Sequence, residues 1–393
     1  MRRLVIVATA VVLVDSTLYA ALTPLLPHYA DRYDLSKAGA GLLVASYAAG
    51  SLVGGIPGGL AAARIGPRRA ASAGLLTVGL ASVVFGLATE PWMLGIARFT
   101  QGVGGALSWA GAFSWIVASV PASRRGEAIG TAMGGAVVGA MLGPVIGAIA
   151  GLTNERATFL VFALIPSGFA LAARRLPDSG PQHAELRSLA HGIRDRKLLG
   201  GLWLMTLPSL LFGLTAVLVP LHLDALGWGP AAIGALWLVA AGIEAVINPF
   251  LGRLIDRRGL RQPVVAAVTA SAVVAVAFAF ADSAVALALL VVVGALSFGA
   301  LFTPGLALIA AGAERAGVAQ ALAFGAMSAA WALGNILGPA GGGALARGTS
   351  DGVAFVVGAA VCLATLAAIS RSGKRAQRVG RIAGGGRVAQ PGA

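Results

Sequence analysis

Cysteine is almost absent. The one in this 393-residue chain, Cys362, lies inside an apolar run, which excludes a disulfide framework, a thiolate metal site and CxxC redox chemistry and leaves a small buried hydrophobe. Charge is scarce too. Only 11% of residues are Asp, Glu, Lys or Arg against 58% hydrophobic, and the mean hydropathy of +0.86 leaves a soluble globule nowhere to put its apolar surface. No Gly-rich loop ending in Lys-Ser/Thr occurs, so the chain holds no engine for ATP-driven transport. No cluster of His, Asp and Glu has metal-ligand spacing. A membrane enzyme needs at least two close chemical groups, whereas the embedded acids here are isolated on distant segments, and no pore-loop motif points to a channel.

What fills the chain instead is a series of apolar stretches of about 20 residues, the length that crosses a hydrocarbon core ~30 Å thick. Twelve are expected: 4–29, 38–62, 70–88, 92–120, 128–150, 157–173, 198–221, 230–251, 263–281, 284–311, 317–346 and 352–370. The runs 284–311 and 317–346 are long enough to be tilted or bent helices. The first stretch begins like a signal peptide, but it is too long, carries an acid and precedes eleven more, so it reads as a retained span. The 56 Gly and 18 Pro suit membrane helices, where small residues allow close packing.

The net charge of +14 is not a nucleic-acid footprint, because the basic residues sit between the spans. Loops on one side hold 24 of the 29 Lys and Arg, loops on the other hold 4, and Arg98 lies within a span. That partition puts both termini in the cytoplasm. The connector 174–197 divides the chain into spans 1–173 and 198–370, followed by a basic tail, 371–393, suited to disorder or to resting on anionic lipid.

The halves repeat. The loop from Gly59, with Arg64, Gly66, Arg68 and Arg69, returns after the eighth span as Gly252, Arg257 and Gly259, at an offset of 193 between Arg64 and Arg257. MLGPVIG at 141–147 returns as ILGPAGG at 336–342, placing Gly143-Pro144 and Gly338-Pro339 at an offset of 195. Six spans repeated in one orientation make two bundles about an axis along the membrane normal, with a substrate path between them.

These motifs resemble the major facilitator superfamily, and more narrowly its twelve-span drug:proton antiporters, including the branch similar to vesicular amine transporters. The loop motif matches Gly59, Arg64, Gly66, Arg68 and Arg69 but has Ala63 at its acidic position; the second copy carries the acid, as Asp256 before Arg257 and Gly259. The fourth-span motif matches Arg98, Gln101, Gly102 and Ala106, and the fifth-span antiporter motif matches Gly139, Gly143, Pro144 and Gly147. The first span looks like the acid-bearing first helix of the amine-transporter branch, with Asp15 followed by Pro24 and Pro27. The resemblance implies an all-α membrane protein of twelve transmembrane helices in two six-helix bundles, not an enzyme. It implies proton-coupled export of small lipophilic or cationic compounds by alternating access at a cell membrane, plasma or bacterial inner. It needs no cofactor, uses the proton as coupling ion, and has a small-molecule substrate and membrane lipids as partners, no nucleic acid, and a functional monomer. A proton-coupled exporter of a neutral metabolite such as a sugar or amino acid is the alternative.

Candidate site residues follow from charge and polarity inside spans. Asp15 sits near mid-depth, where a carboxylate must be paired, hydrated or protonated; it is read as proton-coupling and cation-binding, or else as a structural acid bonded to Ser16, Thr17 or a neighbouring helix. Glu244, one turn from Asn248, gives the second half its own embedded acid, alternatively a packing contact. Arg98 is either an interfacial anchor or, by resemblance, a buried base that governs a nearby acid. Tyr19, Tyr47, Trp109, Trp237, Phe302 and Trp331 are candidate cavity walls, with Gln101 and Asn335 adding polar contacts. Acid beside aromatic suits a lipophilic cation. The glycine stripe Gly139, Gly143 and Gly147 is expected to hug a neighbour, and to seal or rock against the opposite half, with Pro144 supplying a bend.

Overall fold

The computed structural model describes residues 2–22, 25, 29, 31–35, 37–152 and 154–385. The first half contains α1 (Arg2–Ala20), α2 (Lys37–Ile65), α3 (Pro67–Gly86), α4 (Pro91–Ser119), α5 (Arg125–Leu152) and α6 (Glu155–Ala173). A short surface helix, α7 (Leu186–Gly192), lies in the connector. The second half contains α8 (Arg196–Ala225), α9 (Pro230–Arg258), α10 (Arg261–Ala279), α11 (Ala284–Gly299), α12 (Phe302–Ala316), α13 (Gln320–Gly348) and α14 (Asp351–Gly385). Among the described residues eleven segments are long and apolar enough to span a membrane. The twelfth crossing is α4, whose 29 residues include Arg98, Gln101 and several small residues that dilute its hydropathy.

Two departures from the expected spans have local causes. The tenth span is broken at Ala300 and Leu301 into α11 and α12, because Pro304 has no amide hydrogen to offer the Ala300 carbonyl four residues earlier. The basic tail is not irregular throughout: α14 continues to Gly385 through a stretch in which no proline interrupts the helix.

The pseudo-repeat is visible in the packing. In the first half α3 and α4 pack together, α2 packs on α4, α1 on α5 and α3 on α6. In the second half α13 and α12 pack on α8, α14 on α10 and α9 on α11. Gly143 of α5 approaches Thr17 and Ala20 of α1, and its mate Gly338 approaches Leu210 of α8. The halves meet where α5 crosses α9 and where α13 crosses α2 and α4.

Those crossings close one face. An apolar core built from α1 to α5 and from α8, α12 and α13 runs across both halves. Elsewhere two further cores each belong to one half, around Phe85 and Phe159 in the first and around Phe278 and Phe355 in the second. The closed side is the one with the Arg-rich loops, here called the basic face.

Its closure is partly ionic. The Asp256 carboxylate of α9 accepts from the backbone amides of Gly126 and Glu127, both at 2.9 Å, in the first turn of α5. Arg253 of α9 bonds Glu127 at 3.1 Å, and Arg125 of α5 pairs with Glu314 of α12 at 3.2 Å. Gly126 is required at this crossing, since a methyl there would meet both the Asp256 carboxylate and the Gly252 carbonyl. The symmetry-related crossing, Gly59 of α2 against Ala321 and Leu322 of α13, has no such acid, because its equivalent position is Ala63. There the connector intervenes: the Gln182 amide donates to the Ala63 carbonyl at 2.7 Å. Arg68 donates to the Arg174 and Leu176 carbonyls at 2.8 and 3.1 Å and lies 3.5 Å from Asp178. Gly66, at φ +92°, makes the turn that separates α2 from α3. Gly259, at φ +77°, does the same between α9 and α10.

Candidate functional site

Asp15 is 1% exposed and faces α2 and α4. Its Oδ2 accepts from the Trp109 indole Nε1 at 2.7 Å and from the Tyr47 hydroxyl at 3.1 Å, while its Oδ1 is buried with no partner. Neither Ser16 nor Thr17 holds it; the Thr17 hydroxyl turns back to the Leu13 carbonyl. The cluster depends on Gly105, on the same face of α4 as Trp109. A methyl at Gly105 would overlap the Tyr47 hydroxyl and press on both carboxylate oxygens.

Arg98, 2% exposed, lies about two helical turns before Gly105 along α4. It makes no ion pair with Asp15. Its guanidinium carbon instead lies 5.4 and 5.1 Å from the ring centres of Tyr19 and Tyr47, and it is fixed by Nη1, which donates to the Tyr19 carbonyl and Gln101 Oε1, both at 3.0 Å. Gln101 in turn donates to Ser82 of α3 at 2.9 Å. The tie between acid and base is therefore Tyr47, whose hydroxyl meets one while its ring faces the other. The interfacial-anchor alternative for Arg98 does not describe so buried a side chain.

The second half reaches this cluster through α13. Trp331 stands edge-on to Tyr19 and Tyr47, with ring centres 6.0 and 6.4 Å away, and Tyr19 and Tyr47 are themselves 4.5 Å apart. Two turns earlier on the same helix, Phe324 packs at 5.6 Å on Phe113, which touches Trp109. Both phenylalanines are fully buried, so this contact plugs the space between the Asp15 cluster and the basic face.

Glu244 forms a separate centre in the second half. It is 8% exposed, and its carboxyl lies directly against Gly299, where α11 ends. Asn248 donates from Nδ2 to the Glu244 carbonyl at 3.1 Å and accepts from Thr303 of α12 at 3.3 Å. Phe302 stacks on Phe212 at 6.1 Å beside this group. Trp237 packs on the second-half core, away from the Asp15 cluster, and Asn335 donates to the carbonyl of Trp331, one turn earlier.

Of the residues read from sequence, Asp15, Tyr19, Tyr47, Arg98, Gln101, Trp109 and Trp331 converge, and Glu244, Asn248 and Phe302 make a second group. Gly139 and Gly143 pack on Leu13 and Thr17 of α1 within their own half, so the expected sealing against the opposite half is corrected. That contact belongs to Gly126, Gly130 and Gly134 of α5, one to three turns earlier, which meet α9. Gly147 is buried farther along and Pro144 is half-buried. Arg64, Arg69 and Arg257 are exposed on the basic face. Pro24 and Pro27 lie outside the described residues. Sequence reading missed Ser82, Gly105 and Thr303. A lone hydroxyl within an apolar run marks the first and third, but nothing distinguishes Gly105 from its many neighbours before α2 is set against α4.

The family model described as Major Facilitator Superfamily matches residues 7–324, most of the chain. The chain belongs to the major facilitator superfamily. An MFS-type transporter, ppzB, of Metarhizium rileyi is 31% identical over 121 residues, a match that spans 30% of this chain and 25% of that protein. Solved structures with the same fold include the human organic anion transporter MFSD10, with a TM-score of 0.78 at 16% identity, covering 94% of this chain and 99% of that one. The proton:xylose symporter XylE gives 0.75 at 15% identity over 94% and 95% of the two chains. The transporter FucP in its outward conformation gives 0.76 at 15% over 93% and 97%. As a major facilitator protein the chain is a multi-pass membrane transporter, and the Asp15 cluster occupies the region where its two halves face each other across Trp331.

Proposed function

We propose that this transporter is a proton-coupled exporter of small lipophilic or cationic compounds that works by alternating access. The observation that carries the reading is Asp15, a buried carboxylate with one oxygen committed to Tyr47 and Trp109, the other free, and aromatic rings around it. A carboxylate in such a place binds either a proton or an organic cation, and exchange follows if the two compete. With the basic face in the cytoplasm, as the Lys and Arg partition argues, closure at that face makes this the outward-facing arrangement. Protonation of Asp15 from outside then releases the cation. Rocking of the halves breaks the Asp256, Arg253 and Arg125 contacts and withdraws Phe324 from Phe113, opening the site inward, where the proton leaves and the next substrate enters.

Arg98 acts through the rings. Held between Tyr19 and Tyr47, it does not neutralise Asp15 by contact, so a cation still has a place at the carboxylate. Glu244 lies in the other half and is assigned to substrate range rather than to coupling. Purified protein in liposomes, with an imposed pH gradient and a fluorescent lipophilic cation such as ethidium, tests this. Wild type should move ethidium against its gradient while dissipating the proton gradient; D15N should lose uphill movement at normal abundance, and E244Q should keep it with altered affinity. Uphill movement by D15N together with its loss in E244Q would transfer coupling to Glu244. Proton flux driven by a sugar and by no cation would replace the reading with the neutral-metabolite one.

A further inference from the structure

The Arg98 guanidinium is committed along one edge only. Nη1 carries both of its hydrogen bonds, to the Tyr19 carbonyl and Gln101, whereas Nε is buried with no partner and Nη2 donates to no described group. Nε–H and the adjacent Nη2–H point the same way and form the side-on fork that grips a planar oxyanion with two parallel bonds. A buried charged donor left empty is expensive, so a fork held in place by Gln101, Ser82 and two tyrosine rings and yet unfilled indicates a missing acceptor. Asp15 presents the opposite case, an anionic oxygen, Oδ1, buried and without a donor. Tyr47 touches both groups.

We propose that the substrate is amphoteric, with a carboxylate or similar planar oxyanion on the Nε/Nη2 edge of Arg98, an amine on Asp15 Oδ1, and its apolar body against Tyr19 and Trp331. This inference rests on the assignment of the Asp15 cluster as the substrate site and narrows it from lipophilic cations to molecules bearing both charges. Such a ligand leaves neither buried group unpaired. A simple amine fills only Asp15, and a simple acid fills only Arg98 while facing the uncompensated Asp15 charge.

The test uses matched triads on one carbon frame: phenylalanine, phenethylamine and 3-phenylpropionate, then tryptophan, tryptamine and indole-3-propionate. Ligand-induced Tm shifts of the full-length purified protein give apparent affinities without requiring transport. In at least one triad the amphoteric member should bind about tenfold or more tighter than both truncated members, since each lost charge-assisted bond strands a buried partner. R98K keeps the charge but has no fork, and should bring the amino acid to amine ratio toward one; D15N should do the same to the amino acid to acid ratio. If the amine equals or exceeds the amino acid in both triads, or if R98K leaves the ratio unchanged, the inference is overturned. If the amphoteric preference holds but ethidium and the amino acids move without proton flux, the coupling mechanism falls and this inference stands.

Discussion

Replacing Asp256 separates a structural latch from a site residue. Its two oxygens bond the Gly126 and Glu127 amides across the interface between halves, at the positive end of the α5 dipole. Charge-assisted hydrogen bonds are worth about 1.5–3 kcal/mol each in favourable settings. Asp256 is half-buried at a wet face, and the released amides regain water, so the loss from D256A should be about 1–2 kcal/mol, a factor of roughly 5–30 in an equilibrium constant. That energy counts only in the state closed at the basic face, and its loss shifts the population toward opening there. Spin labels on cysteines replacing the exposed Arg69 and Arg261, in a C362S background, report the separation of the halves by pulsed electron resonance. D256A should enlarge the long-distance fraction, and D256N, which keeps one acceptor, should do so less. The converse follows from the repeat. Ala63 lies one turn beyond Gly59, on the face of α2 that meets α13, and the N-terminus of α13 has no side-chain cap. A63D should therefore add the missing latch and reduce the open fraction. Identical distance distributions in wild type, D256A and A63D would refute the reasoning.

Three further outcomes are expected. G105A forces Tyr47 off Asp15 and should mimic Y47F, lowering transport roughly twofold to tenfold, as loss of one hydrogen bond of about 0.5–1.5 kcal/mol implies; wild-type rates in G105A would refute the packing argument. Burial of Asp195 works against its charge, but hydrogen bonds from Arg315 and from the Leu198 and Lys197 amides outweigh it and hold its pKa below the usual carboxylate value. Its folded-state pKa being depressed, Asp195 stabilises the fold above the unfolded value, near 3.8, and that contribution is lost as pH falls through the lower folded value. D195N should accordingly lower Tm at neutral pH and converge with wild type in acid, and a difference that persists there would count against it. Cysteines at the exposed Asp224 or Asp282, in the same C362S background, should react with an impermeant maleimide from outside intact cells while one at Ser179 does not; the reverse pattern would overturn the orientation.

The sequence by itself determined the membrane class, the number of crossings and the family. Each rests on a local or periodic signal: apolar length against bilayer thickness, and loop motifs at fixed spacing that need no contact to be read. It also placed an acid in the first span and another in the eighth, because a carboxylate within an apolar run is conspicuous wherever the helix turns. The grouping of side chains was decided by tertiary structure. Arg98 and Asp15 look like an ion pair from residue type and depth, yet the rotation of α1, α2 and α4 sets Tyr47 between them, and rotation about a helix axis is fixed by packing, not by sequence spacing. The glycine stripe of α5 shows the same limit. Gly139 and Gly143 share one face by their spacing and Gly126 and Gly130 share another, on a different side of the helix; which neighbour each face meets, α1 for the first pair and α9 for the second, is decided by packing. The exchange of a latch between Ala63 and Asp256 was half legible: the repeat shows the asymmetry, but only the fold shows that the acid lands on the first turn of α5, some 130 residues earlier in the chain, where unpaired amides attract it.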